Sequence, residues 1–189
     1  EKELRDRVKF DDALQIAIVG NRVYFGSSVD HQVHCLDAQS GKQLWRFFTG
    51  GPIRLAPCVH DGRLYVGSDD GYTYCLNADD GQLVWKLRLG PAEEWIIGRG
   101  EMISRWPVRT GVLVENDIAY FGAGIFPHEN VYLCSVTTND GKIIWRNDKI
   151  SHLDAGRNSL SPQGYLLGTP SRIFVPSARA GPSALDPKT

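Results

Sequence analysis

The stretch LDAQSGKQLW, residues 36–45, reads as a tight polar turn around one glycine, followed by a short apolar strand that closes on tryptophan. The same phrase returns as LNADDGQLVW at 76–85 and as VTTNDGKIIW at 136–145. Working outward, each copy is preceded by a second hallmark: RVYFGS (22–27), RLYVGS (63–68) and IAYFGA (118–123), with a fourth, RIFVPS (172–177), in which Pro176 replaces the glycine. Between the hallmarks lie QVHCLDA, YTYCLNA and VYLCSVT; ahead of them lie LQIAIVG, RLAPCVH and TGVLVEN. Each unit therefore holds four short runs rich in β-branched and aromatic residues, punctuated by Gly, Asp and Asn. No segment carries a helical period.

A spacing of 40 residues between Trp45 and Trp85 is that of a repeat array. Four antiparallel strands at that period predict an all-β fold, a β-propeller of four-stranded antiparallel blades, here an incomplete arc of about three to four blades. The expected limits are 13–48 for blade 1, 53–89 for blade 2, 107–148 for blade 3 after an insertion at 91–106, and 162–189 for a partial blade 4. Gly41, Gly81 and Gly141 fall where the third strand turns into the fourth, a place that favours positive φ. Trp45, Trp85 and Trp145 fall on the outermost strand. There a large ring covers the turn of an adjoining blade while its N–H finds a backbone acceptor.

Composition narrows the classes of function. The chain is 42% hydrophobic and 23% charged with a formal net charge of −1, which gives no electrostatic case for nucleic acid. No apolar run reaches the ~18 residues of a membrane span, and the charged N-terminal EKELRDRVKF does not read as a secretion leader. Cys35, Cys75 and Cys134 recur ten, ten and eleven residues before the tryptophans, and Cys58 stands apart. Equivalent positions on neighbouring blades are too far apart for disulfides, so the three are expected as small buried residues.

The turn-and-tryptophan pattern resembles the tryptophan-docking motif of pyrroloquinoline-quinone (PQQ)-type propeller repeats. That family includes quinoprotein alcohol dehydrogenases and the non-enzymatic lipoprotein of the outer-membrane β-barrel assembly machine. The matches are Cys35, Asp37, Gly41, Lys42 and Trp45; Cys75, Asn77, Gly81 and Trp85; and Cys134, Gly141, Lys142 and Trp145 with one extra residue. Cys replaces the usual Ala, and Asn77 and Val136 stand where Asp is usual. The resemblance implies an extracytoplasmic, periplasmic setting. A fourth motif, Ala184 to Thr189, stops short of its glycine, so the arc is expected to belong to a larger propeller or to associate with copies of itself.

Propeller sites gather on one end of the ring, and the extra length falls there. Trp85 to Gly122 spans 37 residues against 22 from Trp45 to Gly67. The added stretch carries Glu93, Glu94, Trp95, Arg99, Glu101, Arg105 and Trp106. A second insertion surrounds His152 and Asp154, and the middle loop of blade 3 carries His128 and Glu129. Arg54, Arg109 and Gln163 are equivalent positions at the mouth of the innermost strand. Two guanidiniums there suit a small anionic ligand, or else they are solvated strand ends or pair with Glu93, Glu94 or Asp154. His31 and His34 do not form a ligand pair, and no metal site is expected.

No nucleophile elbow, phosphate loop or CxxC pair is present. The resulting expectation is a non-catalytic binding or scaffold module with no cofactor. It would present its insertion face to a protein or peptide, or pack against the remaining blades of the same propeller. The alternative is a fragment of a PQQ- and calcium-dependent dehydrogenase, although the family's adjacent cysteine pair is missing and its calcium set does not map. A third option is a sensor module fused to another domain.

Overall fold

A computed structural model describes residues 14–98, 100–150, 160–178 and 180–188. Blade 1 is the sheet β1 (Ile16–Val19), β2 (Arg22–Gly26), β3 (Gln32–Asp37) and β4 (Gln43–Phe48), hydrogen-bonded in sequence order. Blade 2 repeats it with β5 (Cys58–His60), β6 (Arg63–Gly67), β7 (Tyr72–Asn77) and β8 (Leu83–Arg88). The insertion forms a separate two-stranded sheet, β9 (Trp95–Gly98) and β10 (Glu101–Ser104). Blade 3 is β11 (Leu113–Glu115), β12 (Ile118–Ala123), β13 (Tyr132–Thr137) and β14 (Ile143–Asn147). Blade 4 contributes β15 (Leu167–Thr169), β16 (Arg172–Val175) and β17 (Ser183–Leu185). All pairings within the sheets are antiparallel, so the all-β propeller arc is the observed architecture.

Local chemistry accounts for the turns. The two-residue loop Asp61–Gly62 has φ of 46° and 70°, and Asn116–Asp117 has 51° and 60°. This double positive φ is what a tight hairpin needs to match strand twist, and Asn, Asp and Gly tolerate it best. In each complete blade the pairing of the third and fourth strands slips by one residue at the same place, after Cys35, Cys75 and Ser135.

That register corrects two sequence assignments. Trp45 and Trp85 lie opposite Cys35 and Cys75, but Trp145 lies opposite Ser135, while Cys134 faces Arg146. The equivalent of Asp37 and Asn77 is accordingly Thr137, not Val136: Gly41, Gly81 and Gly141 donate their N–H groups to the carbonyls of Asp37, Asn77 and Thr137. Where Asp37 accepts the Ser40 N–H, Thr137 closes its turn differently, its hydroxyl accepting the Lys142 N–H and donating to Asp140. All four cysteines are free.

The cores lie between blades: the sheets of blades 2 and 3 bury both faces, and those of blades 1 and 4 bury one. Tyr24, Cys35 and Trp45 of blade 1 pack on Leu64, Val66 and Leu76 of blade 2. Tyr65, Cys75 and Trp85 pack on Ala119, Phe121 and Val136 of blade 3. Tyr120, Leu133 and Trp145 pack on Ile173 and Val175 of blade 4. Each indole crosses to the next blade: Trp45 donates to the Ala78 carbonyl at 3.1 Å, Trp85 to Thr138 at 2.9 Å and Trp145 to Pro187 at 2.9 Å. A Cβ on Gly81 would sit 2.5 Å from the Trp45 ring, and one on Gly141 would sit 2.7 Å from Trp85. Glycine there supplies both the positive φ and the room.

Backbone stitches run along the inner side. The segment leading into blade 2 accepts from Asp69 N–H at the Pro52 carbonyl and donates from Ile53 N–H to Ser27 of blade 1. The segment leading into blade 3 repeats this with Gly124 to Pro107 and Val108 to Ser68. At blade 4, Ala178 donates to Ser161 in the same way, while Pro162 has no N–H for the second bond. The outer flanks of the arc remain uncovered among the described residues, with Ile18 62% exposed on blade 1 and Leu167 65% exposed on blade 4.

Candidate functional site

The segments that lead into blades 2, 3 and 4 converge on the inner mouth of the arc. Arg54, Arg109 and Gln163 each stand four residues ahead of their innermost strand, at Cys58, Leu113 and Leu167. The structure brings the two arginines together, but on a residue the sequence reading missed. Asp69, in the β6–β7 loop, is 0% exposed. It accepts from Arg54 Nε at 2.7 Å on Oδ2, and from Arg109 Nε and Nη2 at 2.8 Å each on its two oxygens. The carbonyl of Asp69 also accepts the Ser104 N–H at 2.7 Å. One buried residue thus joins the segments leading into blades 2 and 3 through its carboxylate, and the base of the insertion through its carbonyl. Such a fork-to-carboxylate contact is short and directional, and it neutralises charge that burial would otherwise penalise. The sequence did hold a signal: Asp69 occupies the position of Ser28 and Gly124 in the other units, a departure from the repeat.

Gln163 turns elsewhere, donating from Nε2 to Ser161 Oγ at 3.1 Å. Tyr165, two residues on, was also missed. Its hydroxyl accepts the Ala56 N–H of blade 2 at 2.9 Å and donates to Gln15 beside blade 1. Its ring lies where a Cβ on Gly111 of blade 3 would come within 2.6 Å. A single phenol therefore reaches from blade 4 across the mouth to the other three.

The insertion is a β-hairpin. Arg105, Trp106 and Glu129 do come together at its base. Arg105 pairs with Glu94 at 2.8 Å and Glu129 at 3.6 Å, and Trp106 Nε1 donates to the Glu129 carbonyl at 2.6 Å. Glu129 sits on a short 3-10 turn, Pro127–Glu129, that fills the long middle loop of blade 3. His128 beside it is 3.9 Å from the Glu129 carboxylate. Farther out, Glu101 reaches His31 of blade 1 at 3.6 Å, whereas His34 pairs with Asp30 at 3.0 Å, so the two histidines part as expected. The hairpin is thus held at both flanks. Trp95, Ile97 and Met102 share one of its faces by strand alternation and register, while Ile103 is buried beneath. Ile97 is 80% exposed and Met102 55%.

His152, Asp154 and Arg99 lie outside the described residues. Calcium needs six to eight oxygens, chiefly from carboxylates and carbonyls. The carboxylate at the channel mouth has both oxygens engaged by guanidiniums, and no group of three or more His, Cys, Asp or Glu gathers among the described residues. The described mouth therefore offers no ready cage of oxygens for calcium. No described helix is long and apolar enough to cross a membrane.

Against known proteins, residues 7–146 match the PQQ-type family described as outer membrane protein assembly factor BamB. A quinoprotein ethanol dehydrogenase of Pseudomonas aeruginosa is 41% identical over 59 residues, which is 30% of this chain and 9% of that protein. BamB from Moraxella catarrhalis superposes with a TM-score of 0.68 at 12% identity, over 95% of this chain and 50% of that one. Quinohemoprotein alcohol dehydrogenase from Comamonas testosteroni gives 0.71 at 16% identity, over 93% and 33%. The computationally designed Ika4 protein gives 0.65 at 14%, over 95% and 94%. At these identities the superpositions speak to fold alone. The chain spans half the length of the Moraxella protein and a third of the Comamonas enzyme.

Proposed function

Because the chain belongs to the PQQ-type propeller family described as outer membrane protein assembly factor BamB, we propose that it is a non-catalytic binding and scaffold module that presents its insertion-bearing end to a protein partner in an extracytoplasmic compartment. The observation that carries this reading is the hairpin. It projects an apolar face of Trp95, Ile97 and Met102 into solvent while Arg105, Trp106 and Glu129 fix its base. A preorganised apolar projection on a rigid scaffold is the signature of an interaction site rather than of a solvated loop. In the same reading, the tryptophans act as docking groups that hold the scaffold in shape, and Arg54 and Arg109 serve Asp69 rather than a small anion.

A second reading, a segment of a PQQ- and calcium-dependent dehydrogenase, is favoured by the local identity to the ethanol dehydrogenase. On that reading the arginine–aspartate cluster walls a channel and holds no metal. The test uses the complete protein. Affinity capture should retain a defined partner that the Ile97→Glu/Met102→Glu variant loses, while PQQ and calcium yield no co-eluting absorbance and no dye-linked alcohol oxidation. An unchanged set of retained proteins together with alcohol turnover would overturn the scaffold reading in favour of the enzyme.

A further inference from the structure

On the same end of the molecule, Glu93 and Trp95 at the base of the hairpin line an open groove of about 460 Å3 together with the outer strands of blades 1 and 2. Its walls are aromatic: Phe47 and Phe48 end β4, Tyr72 and Tyr74 lie on β7, and Trp95 comes from β9. The polar groups of its floor are bonded to one another. Asp70 accepts from Gly50 N–H at 2.7 Å, Tyr72 N–H at 2.9 Å and the Tyr74 hydroxyl at 2.5 Å. Thr49 Oγ1 lies 3.0 Å from the His31 carbonyl and 2.8 Å from that of Gly51.

The rim is cationic. Lys86 Nζ stands 4.7 Å above the Tyr72 ring, the Arg88 guanidinium 5.7 Å from it, and Arg46 5.6 Å from Phe48. Glu93, the exposed acid of the lining, pairs with Arg88 at 3.3 Å. Lys86 meets no carboxylate among the described residues.

We propose that this groove binds an extended peptide segment that lays an aromatic or aliphatic side chain against Phe48 and Trp95 and sets a neighbouring Asp or Glu on Lys86. The volume falls within the ~300–1,000 Å3 of small-ligand sites. Exposed Trp and Phe supply large rigid contact area at low entropic cost, the usual anchors of peptide recognition. A sugar would need free donors and acceptors for its hydroxyls, and the floor offers none because Asp70, Tyr74 and Thr49 satisfy each other and the backbone. What remains on offer is aromatic surface, the Tyr72 hydroxyl and positive charge, the complement of an acidic, apolar peptide. The inference rests on the insertion-bearing end being a binding surface, but it uses different side chains from the hairpin's Ile97 and Met102.

The experiment pans a random peptide library displayed on phage against the complete protein and measures the selected synthetic peptide by fluorescence anisotropy. A motif pairing an apolar residue with Asp or Glu is expected. Trp95→Ala should weaken it by about tenfold or more, as for a truncated hot spot. Lys86→Glu should instead enrich basic peptides. Both positions are exposed, so melting temperatures should hold and loss of folding is excluded directly. The motif should also survive in Ile97→Ser/Met102→Ser, which separates failure of this groove from failure of the partner surface on the hairpin. The proposal is overturned by a selection with no motif, by a motif that both variants leave unchanged, or by oligosaccharide binding that needs the same rings.

Discussion

Replacing Arg109 with Ala tests whether the inner mouth is built for stability or for a ligand. Arg109 makes two of the three guanidinium bonds to Asp69, including the one to Oδ1, and Asp69 is wholly shielded from water. Without Arg109, the carboxylate keeps Arg54 on one oxygen and leaves the other with no guanidinium. Breaking a buried ion pair by removing one partner costs about 3–5 kcal/mol, whereas an exposed pair contributes about 0–1 kcal/mol. Since Arg54 remains in place and the Arg109 side chain is itself 15% exposed, the lower end applies, about 3 kcal/mol. For a domain of this size that lowers the melting temperature by ~6–12 °C.

Urea unfolding followed by tryptophan fluorescence reads the loss, because Trp45, Trp85 and Trp106 all lie in the inter-blade cores. Asp69→Asn should also destabilise, and the double variant Asp69→Asn/Arg109→Ala should be more stable than the sum of the single effects, since no buried carboxylate is left short of its guanidinium. A loss below about 1 kcal/mol for Arg109→Ala, with simple additivity in the double variant, would refute the structural assignment. The arginines would then be candidates for an anion from solution.

Trp45→Ala should cost about 3–5 kcal/mol in chemical unfolding, while Trp45→Phe, which keeps a ring but drops the donor to Ala78, should cost about 1 kcal/mol or somewhat more. Gly81→Ala forces a side chain into φ +73° and to 2.5 Å from the Trp45 ring, so it should destabilise by at least about 1 kcal/mol, and an unchanged midpoint would remove the packing argument. Ile97→Ser/Met102→Ser should leave the unfolding midpoint within about 0.5 kcal/mol, since both side chains already face water. Burial pushes the Cys75 thiol from 9.0 up to about 11 and raises the Tyr74 hydroxyl beside Asp70 well above its usual value. Both shifts favour the neutral form in the fold. The stability they contribute is complete below pH 9 and declines as pH rises from 9 to 11 while the unfolded chain ionises first. A urea midpoint that stays flat across that range would contradict the burial of these groups.

The repeat was legible because it is written in residues whose chemistry is local: glycine at a turn, alternating apolar positions, a tryptophan four residues after each turn glycine. The offset of the blade 3 cysteine was not, since Cys134 imitates Cys35 and Cys75 by identity while the register places Ser135 opposite the tryptophan in their role. The site was less legible still. Arg54 and Arg109 could be aligned by counting, but their partner Asp69 lies 15 and 40 residues away along the chain, and only closure of the sheets joins them. Tyr165 is an unremarked residue in QGYLLG until the arc carries it back to Gln15. The hairpin strands WIIG and EMIS, four residues each, are too short for periodicity to distinguish them from a loop that covers the face.

Between blades, the receiving partner of each indole is a main-chain oxygen, contributed by an alanine, a threonine and a proline in turn. Any amino acid provides that oxygen, so the accepting position is free to drift while the donating ring and the glycine beneath it are retained. Blades can therefore be duplicated, shuffled or diversified on one side of every joint without losing mutual fit, which gives a physical reason why superposable relatives share as little as 12% of their residues with this chain.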